Sequence, residues 1–98
     1  MGDSQFAVGD DGAGTVVTAM GEIDLAAKDA LREVLSPLVG DVTVDLTDVT
    51  FVDSSAIGVL VGAHKRLTDD GGSLRLRNPQ GMPRRALEIV GLGEWIDD

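Results

Sequence analysis

Phe51-Val52-Asp53-Ser54-Ser55-Ala56-Ile57-Gly58-Val59-Leu60-Val61 is the most informative stretch of this chain, because an apolar strand ends there in Asp-Ser-Ser and a helix begins. The backbone N–H groups in the first turn of a helix have no helical partners, and the helix dipole favours negative charge. Two hydroxyls at such a junction form a place where an anion can be bound or attached. We therefore expect the chemistry of this chain to lie at this junction.

Outward from this junction, apolar periodicity and turn residues predict elements in the order β-β-α-β-α-β-α-β. Asp24 is expected to cap the first helix, and Gly91 to end the third in a left-handed conformation. The predicted strands cover residues 6–8, 15–20, 42–46, 73–77 and 95–96, and the predicted helices cover residues 25–38, 54–68 and 83–90. This rhythm predicts one α/β domain over residues 1–98, a mixed four- to five-stranded sheet with helices packed on it.

Composition narrows the classes of partner. The chain of 98 residues carries 8 basic and 17 acidic side chains, a formal charge of −9, and it has no cysteine. This balance argues against nucleic acid or anionic lipid as the main partner, and the missing thiols exclude disulfide and zinc–thiolate chemistry. Residues 1–5 lack the pattern of a signal peptide, and no apolar run approaches the ~18 residues of a membrane span. We expect a small acidic cytoplasmic domain that binds another protein.

The helix after Asp53 has two distinct faces. A predicted buried stripe follows helical spacing, and it consists of Ile57, Leu60, Val61, His64 and Leu67. The other face carries Gly58, Val59 and Gly62. Because each glycine costs about 1 kcal/mol relative to alanine inside a helix, these two need a reason. Either a neighbouring element of the same domain packs tightly there, or the face is an exposed, flat docking surface beside the serines.

The two serines also allow two interpretations. Asp53, Ser54 or Ser55 can each cap the first turn of the helix by accepting a backbone N–H. Alternatively, one hydroxyl is presented to a kinase. A phosphate at this position adds about −1.5 to −2 charges at a favourable helix end, beside an unfavourable aspartate. The fold would tolerate such a phosphate, whereas a partner docked on that face would not.

Other candidate sites are weaker. Asp45, Asp48 and Asp53 cluster near a strand end, which suggests a magnesium-dependent enzyme as a rival function. Loop carboxylates more often cap turns, so we expect neither a metal nor a cofactor. His64 is expected to be a partly buried structural histidine, and Trp95 an anchor for the C-terminus. Without a nucleophile–base pair, we expect no catalytic residues and no enzyme activity.

One segment around the junction is Asp45-Leu46-Thr47-Asp48-Val49-Thr50-Phe51-Val52-Asp53-Ser54-Ser55-Ala56-Ile57-Gly58-Val59-Leu60. It closely resembles the signature of STAS domains, in particular that of bacterial anti-sigma factor antagonists. The segment Gly21-Glu22-Ile23-Asp24 before the first helix resembles the first loop of that family. Gly91-Leu92 before a short last strand is similar to its ending. The resemblance covers essentially the whole chain, without large insertions between the matching blocks.

This resemblance implies a partner-switching role. The unphosphorylated antagonist binds an anti-sigma factor that is also a serine kinase, and the sigma factor is released. The kinase uses Mg-ATP to phosphorylate one serine, which ends the association, and a PP2C-type phosphatase restores it. By position the resemblance makes Ser55 the acceptor, with Ser54 as second choice. The residues it implies for partner binding are Gly21, Glu22, Asp24, Asp53, Ser54, Ala56, Gly58, Val59 and Gly62.

One position departs from the family pattern. The family usually has glycine directly after the acceptor serine, where this chain has Ala56. The extra methyl is expected to favour the helix and to narrow access to the hydroxyl. A STAS domain that serves as an unphosphorylated scaffold, in a lipid-transport ATPase or a stress-sensing complex, is the alternative function, because Ala56 would carry no penalty there.

Overall fold

A computed structural model describes residues 5–98 of the chain. The expectation for the chain's first residues, 1–4, therefore lies outside the described part. The elements follow the predicted order. They are β1 (Phe6–Asp10), β2 (Thr15–Ile23), α1 (Lys28–Leu35), β3 (Asp41–Val52), α2 (Ser54–Asp69), β4 (Ser73–Arg77), α3 (Gly81–Ile89), a 3-10 turn (Gly93–Trp95) and β5 (Ile96–Asp97).

The strands form a single mixed sheet in the order β1-β2-β3-β4-β5. β1 pairs antiparallel with β2, and each later neighbour pair is parallel. A parallel neighbour cannot be reached by a tight hairpin, so a helix connects the two strands of each parallel pair. The predicted α/β class with a mixed sheet and packed helices is confirmed. Among the described residues the sheet has five strands, the upper end of the predicted range.

One face of the sheet carries the core. Along β3 the side chains of Val42, Val44 and Leu46 are buried, whereas the intervening Thr43 and Asp45 are only partly covered. Because successive side chains of a strand point to opposite faces, this alternation assigns the buried set to one side. The helices contribute the other half of the same aliphatic cluster, through residues such as Leu31, Leu60 and Leu87.

Strands β2 and β3 both run further than the sequence pattern predicted. β3 continues to Val52, and β2 continues beside it to Ile23, across two shifts of register. Gly21 lies between the shifts with φ +77°, a conformation that side-chain-bearing residues rarely adopt. The Gln5 amide nitrogen donates to the carbonyl oxygens of Met20 (3.0 Å) and Glu22 (2.5 Å), which fixes this irregular segment. Gly21 and Glu22 therefore belong to a strand, and their placement in a loop was wrong.

Helix α1 is shorter than predicted, because Asp24 does not cap it. The N-cap position is Ala27, and Asp24 instead closes a separate turn by accepting the Ala27 N–H at 3.1 Å. At the other end, the helix stops at Leu35. The Arg66 guanidinium donates to the carbonyl oxygens of Leu35 (2.8 Å) and Leu38 (3.0 Å) and so satisfies groups that a longer helix would have used itself.

The predicted faces of α2 need one correction. Val61 was placed on the buried stripe but is 43% exposed, and Val59 was placed on the outer face but is 9% exposed. Helix α2 packs against α1 as well as against the sheet. Its buried surface is therefore shifted toward α1, compared with the stripe expected for a helix that packs on the sheet alone. His64 is half-buried as predicted, and its ring stacks on that of Trp95 with centroids 3.7 Å apart. This contact anchors the C-terminal segment, as expected for Trp95.

Candidate functional site

Asp53 is the residue that caps α2. Its backbone is extended (φ −103°, ψ 171°), and its Oδ1 accepts the backbone N–H groups of Ser55 (2.8 Å) and Ala56 (3.3 Å). The same oxygen accepts the hydroxyl of Ser55 at 2.5 Å. The capping role that the sequence left open between Asp53, Ser54 and Ser55 thus belongs to Asp53. The hydrogen bond to Asp53 therefore holds the Ser55 hydroxyl in one orientation, in which the lone pairs of its oxygen point away from the carboxylate.

The same contacts lower the pKa of the Asp53 carboxyl below its usual value. The Ser55 hydroxyl is the largest cause, the two backbone N–H donors add to it, and the positive charge of Lys28 contributes. Desolvation acts in the opposite direction but does not prevail. Asp53 therefore remains a carboxylate, and it can only accept hydrogen bonds at this helix end.

Ser55 opens into a groove between α1 and α2. Both helices follow strands that end at the same edge of the sheet, so they run in the same direction with neighbouring N-termini. Ser54 is more exposed than Ser55 and does not line the groove. The groove has a volume of about 440 Å³, and its lining residues are Lys28, Arg32, Leu35, Ser36, Ser55, Gly58, Val59, Gly62, Ala63 and Arg66.

The two glycines of α2 face open space. A Cβ built on Gly58 or on Gly62 would meet no atom within 4 Å outside the helix itself. The interpretation that these glycines permit tight packing within the domain is therefore wrong. The other interpretation, an exposed docking surface, remains, because the missing side chains leave a shallow channel beside Ser55. Val59 and Ala63 are buried beneath it and give it an apolar floor.

The opposite wall of the groove is basic. Lys28 and Arg32, one turn apart on α1, both line it, and both bind the carboxylate of Asp29, at 3.4 Å and 2.7 Å. In the sequence both residues lie opposite the apolar stripe of α1, a position typical of a solvated face, so sequence reasoning did not identify them as site residues. The lysine side chain is only 27% exposed. The available signal was topological: two helices that start at one sheet edge bring their first turns together.

The first patch implied by the resemblance lies close to this site. Glu22 pairs with Phe51 in the sheet, and the Asp53 N–H donates to the carbonyl oxygen of Ile23 at 3.2 Å. Gly21, Glu22 and Asp24 thus reach the same sheet edge as the serines. Two exposed apolar side chains, Leu25 and Phe51, flank this edge and were not singled out from the sequence.

Ala56 is not a surface residue. It is 0% exposed, so its methyl belongs to the core and does not stand on the side from which another protein would approach the Ser55 hydroxyl. The expectation that Ala56 narrows access was wrong, and so was its inclusion among partner-contacting residues. The physical reason is helix geometry: neighbouring residues of a helix point about 100° apart, which separates Ala56 from the groove.

The three aspartates considered for a magnesium site do not converge. Asp45 lies on the uncovered sheet face, where it accepts the N–H (3.0 Å) and hydroxyl (2.6 Å) of Thr47. Asp48 is exposed on β3, and Asp53 is occupied by α2. Over residues 5–98, no cluster of three or more His, Cys, Asp or Glu side chains is arranged to hold a metal ion. The same part of the chain contains no helix long and apolar enough to cross a membrane.

Known proteins resemble this chain over nearly its whole length. The anti-sigma-B factor antagonist of Bacillus subtilis (strain 168) is 40% identical over 84 residues, which cover 83% of this chain and 77% of that protein. The solved structure of the anti-sigma factor antagonist SpoIIAA in its unphosphorylated form is 26% identical and superposes with a TM-score of 0.85, covering 95% of this chain and 86% of that one. The phosphorylated form of the Bacillus cell fate determinant SpoIIAA is also 26% identical, with a TM-score of 0.77 and coverage of 95% and 89%.

The family model described as STAS domain matches residues 7–97. The match includes every element of the sheet from β2 onward, most of β1, and the whole α1–α2 groove. Together with the relatives and the shared fold, it confirms the resemblance drawn from the Asp53 junction. The chain belongs to the STAS domain family.

Proposed function

We propose that this protein is an anti-sigma factor antagonist controlled by phosphorylation of Ser55. In its unphosphorylated form it binds an anti-sigma factor, which then releases its sigma factor. One observation carries this proposal: Ser55 lines a groove beside Gly58 and Gly62, and packing within the domain does not require either glycine. A surface kept free at a cost in helix stability is what a docking site for another protein demands.

The anti-sigma factor in this proposal is also a serine kinase that supplies Mg-ATP. The Ser55 oxygen forms a bond to the γ-phosphorus, the bond between that phosphorus and ADP breaks, and the hydroxyl proton leaves to solvent. The carboxylate of Asp53 fixes the direction of the hydroxyl before transfer. All catalytic groups belong to the kinase, so this chain acts as a substrate and a binding module. A PP2C-type phosphatase hydrolyses the phosphoserine with water, which releases inorganic phosphate and restores the hydroxyl, and both reactions take place in the cytoplasm.

Phosphorylation would end binding for an electrostatic and steric reason. A phosphate adds about −1.5 to −2 charges and three acceptor oxygens at the mouth of the groove. The N-terminus of α2 tolerates this charge, so the fold survives. A partner seated over Gly58 and Gly62 would have to desolvate the new dianion. The relative SpoIIAA, known in unphosphorylated and phosphorylated forms, supports this switch.

The choice of Ser55 over Ser54 rests on position in the groove. Ser54 is the more exposed residue, which favours simple access. Ser55 alone of the two lines the groove and is oriented by Asp53. A phosphate on Ser55 would therefore interfere with a docked partner more strongly than one on Ser54. The contacts proposed for the partner are Gly21, Glu22, Asp24, Asp53, Ser54, Gly58, Val59 and Gly62.

The test is phosphorylation by the cognate anti-sigma kinase, with the modified site mapped by mass spectrometry. Ser54→Ala should be phosphorylated normally, whereas Ser55→Ala should take up no phosphate and should remain bound to the kinase in the presence of ATP. The two variants are matched controls, because each removes one hydroxyl of the same helix turn. Phosphate mapped to Ser54 in the native chain would overturn the site. Full binding by a Ser55→Glu variant would favour the scaffold role instead.

A further inference from the structure

The basic wall of the groove is unusual in so acidic a chain. Three of the 8 basic residues line this groove, although the chain carries a formal charge of −9. Arg66 is engaged with the carbonyl oxygens at the end of α1. Lys28 and Arg32 remain, and they share one carboxylate, that of Asp29. Among the described residues, both of these cations form their ion pairs with one carboxylate, that of Asp29, while the charge of Lys28 also acts on Asp53.

Lys28 lies in the first turn of α1, as Ser55 does in the first turn of α2. It is the first residue of α1, Ser55 is the second residue of α2, and the two helices start side by side. Both residues line the same groove, and the charge of Lys28 is felt at Asp53, whose carboxylate holds the Ser55 hydroxyl. Arg32 lies one turn further along α1, a rise of about 6 Å. An anion attached to Ser55 would thus meet Lys28 first and Arg32 second.

We propose that Lys28, assisted by Arg32, captures the phosphate on Ser55 inside the α1–α2 groove. The proposal rests on the proposed function only for the position of the phosphate. A phosphate dianion attracts a lysine ammonium more strongly than the single charge of Asp29 does, so Lys28 transfers from the exposed carboxylate to the phosphate. The captured phosphate then occupies the space that the glycines leave open, and the phosphorylated form closes its own docking groove.

The charges around the phosphate oppose one another. Asp53 lies on its near side and Asp29 lies on α1, and both disfavour a dianion. Lys28 and Arg32 on α1 favour it, whereas Arg66 lies about 16 Å along α2 from Ser55 and is held by carbonyl oxygens at the far end of the groove. The second pKa of a phosphoserine is ordinarily about 6. Because these charges act on it in opposite directions, the effect of Lys28 is measured as the difference in this pKa between the native chain and a Lys28 variant. Removal of Lys28 alone must raise this pKa, because the dianion loses its nearest cation.

The experiment uses the full chain with phosphoserine incorporated at position 55 during translation, so that no kinase is needed. Phosphorus NMR follows the phosphate through a pH titration in the otherwise native chain, in Lys28→Met and in Lys65→Met. Lys65 is the matched control: it lies on α2, about 15 Å along the helix axis from Ser55, and pairs with Asp69 at 2.9 Å. We expect Lys28→Met to raise the second pKa by about half a unit to one unit, and Lys65→Met to leave it unchanged.

Two further variants make the result specific. Lys28→Arg keeps the charge and should keep the lowered pKa, whereas Arg32→Met should give a smaller rise than Lys28→Met. Circular dichroism confirms that each variant is folded, which is expected because Lys28 lies at the start of a surface helix. Identical titrations of the native chain and Lys28→Met would overturn the capture. The titration tests only the capture of the phosphate, because no kinase is used. The proposed function has a separate test, and it fails if the kinase does not modify Ser55.

Discussion

Two pairs of glycines in this molecule have opposite surroundings. Gly14 and Gly72 precede β2 and β4, and a Cβ on either would collide with the backbone of the segment that begins β3, at Asp41 and Gly40 respectively. Gly58 and Gly62 lie inside α2, and a Cβ on either would meet nothing. The first pair allows neighbouring strands to come together. The second pair contributes nothing of this kind to the fold, and this difference separates a structural requirement from a functional one.

The largest effect is expected at Gly72. The Gly72→Ala substitution forces a methyl against the Gly40 carbonyl, beside the hydrogen bond that the Ser73 N–H donates to that same oxygen at 3.1 Å. Backbone cannot yield as a flexible side chain can, so we expect a loss of about 1–3 kcal/mol or more in the free energy of unfolding. Urea denaturation measures it. A Gly72→Ala variant as stable as the native chain would show that the fold does not require glycine at this position.

The matched substitution in α2 should act in the opposite direction. Gly58→Ala adds a methyl in open space and improves helix propensity, so we expect a gain of about 0.5–1 kcal/mol in the free energy of unfolding. The same methyl stands in the proposed docking groove, and we expect affinity for the anti-sigma factor to fall about tenfold. Denaturation and calorimetric binding are measured on one preparation. A variant that is destabilised, or that binds as tightly as the native chain, would contradict the free-groove interpretation.

The smallest effect is expected at Asp53 and depends on pH. Its carboxyl has a lowered pKa in the folded chain, so its contribution is present above the ordinary value of 3.8 and is lost as pH falls through the folded pKa. Asparagine caps helices nearly as well but does not titrate. We expect Asp53→Asn to melt a few degrees below the native chain at pH 7 and this gap to narrow as the pH falls below 3.8. A gap that stays constant would show that charge is not involved.

The sequence was sufficient for the parts of the fold that local pattern determines. Period-two alternation located β3 and β4, and the Asp53 junction located the start of α2 and the family. Gly91 has φ +88° and ends α3, with the Leu92 N–H bonded to the Leu87 carbonyl at 2.9 Å, as the pattern predicted. These features depend on residues within one turn or strand of one another, so single-sequence reasoning reached them.

The remaining features depend on neighbours that the sequence does not place. Val59 is buried because α1 lies against α2, and helical spacing alone could not choose between it and Val61. Lys28 became a groove residue for the same reason. Gly21 lies at a register shift between two strands, which no local pattern reveals. The open space at Gly58 was likewise undecidable, since a glycine that permits packing and one that leaves room are identical in sequence.

Calorimetry on two forms of the full chain measures directly whether a phosphate on Ser55 ends binding. The anti-sigma factor is titrated into the unmodified protein and into the protein with phosphoserine at position 55. A dianion at the mouth of the groove must be desolvated on binding, so we expect the phosphorylated form to bind at least about 100-fold more weakly. Equal affinity of the two forms would contradict it.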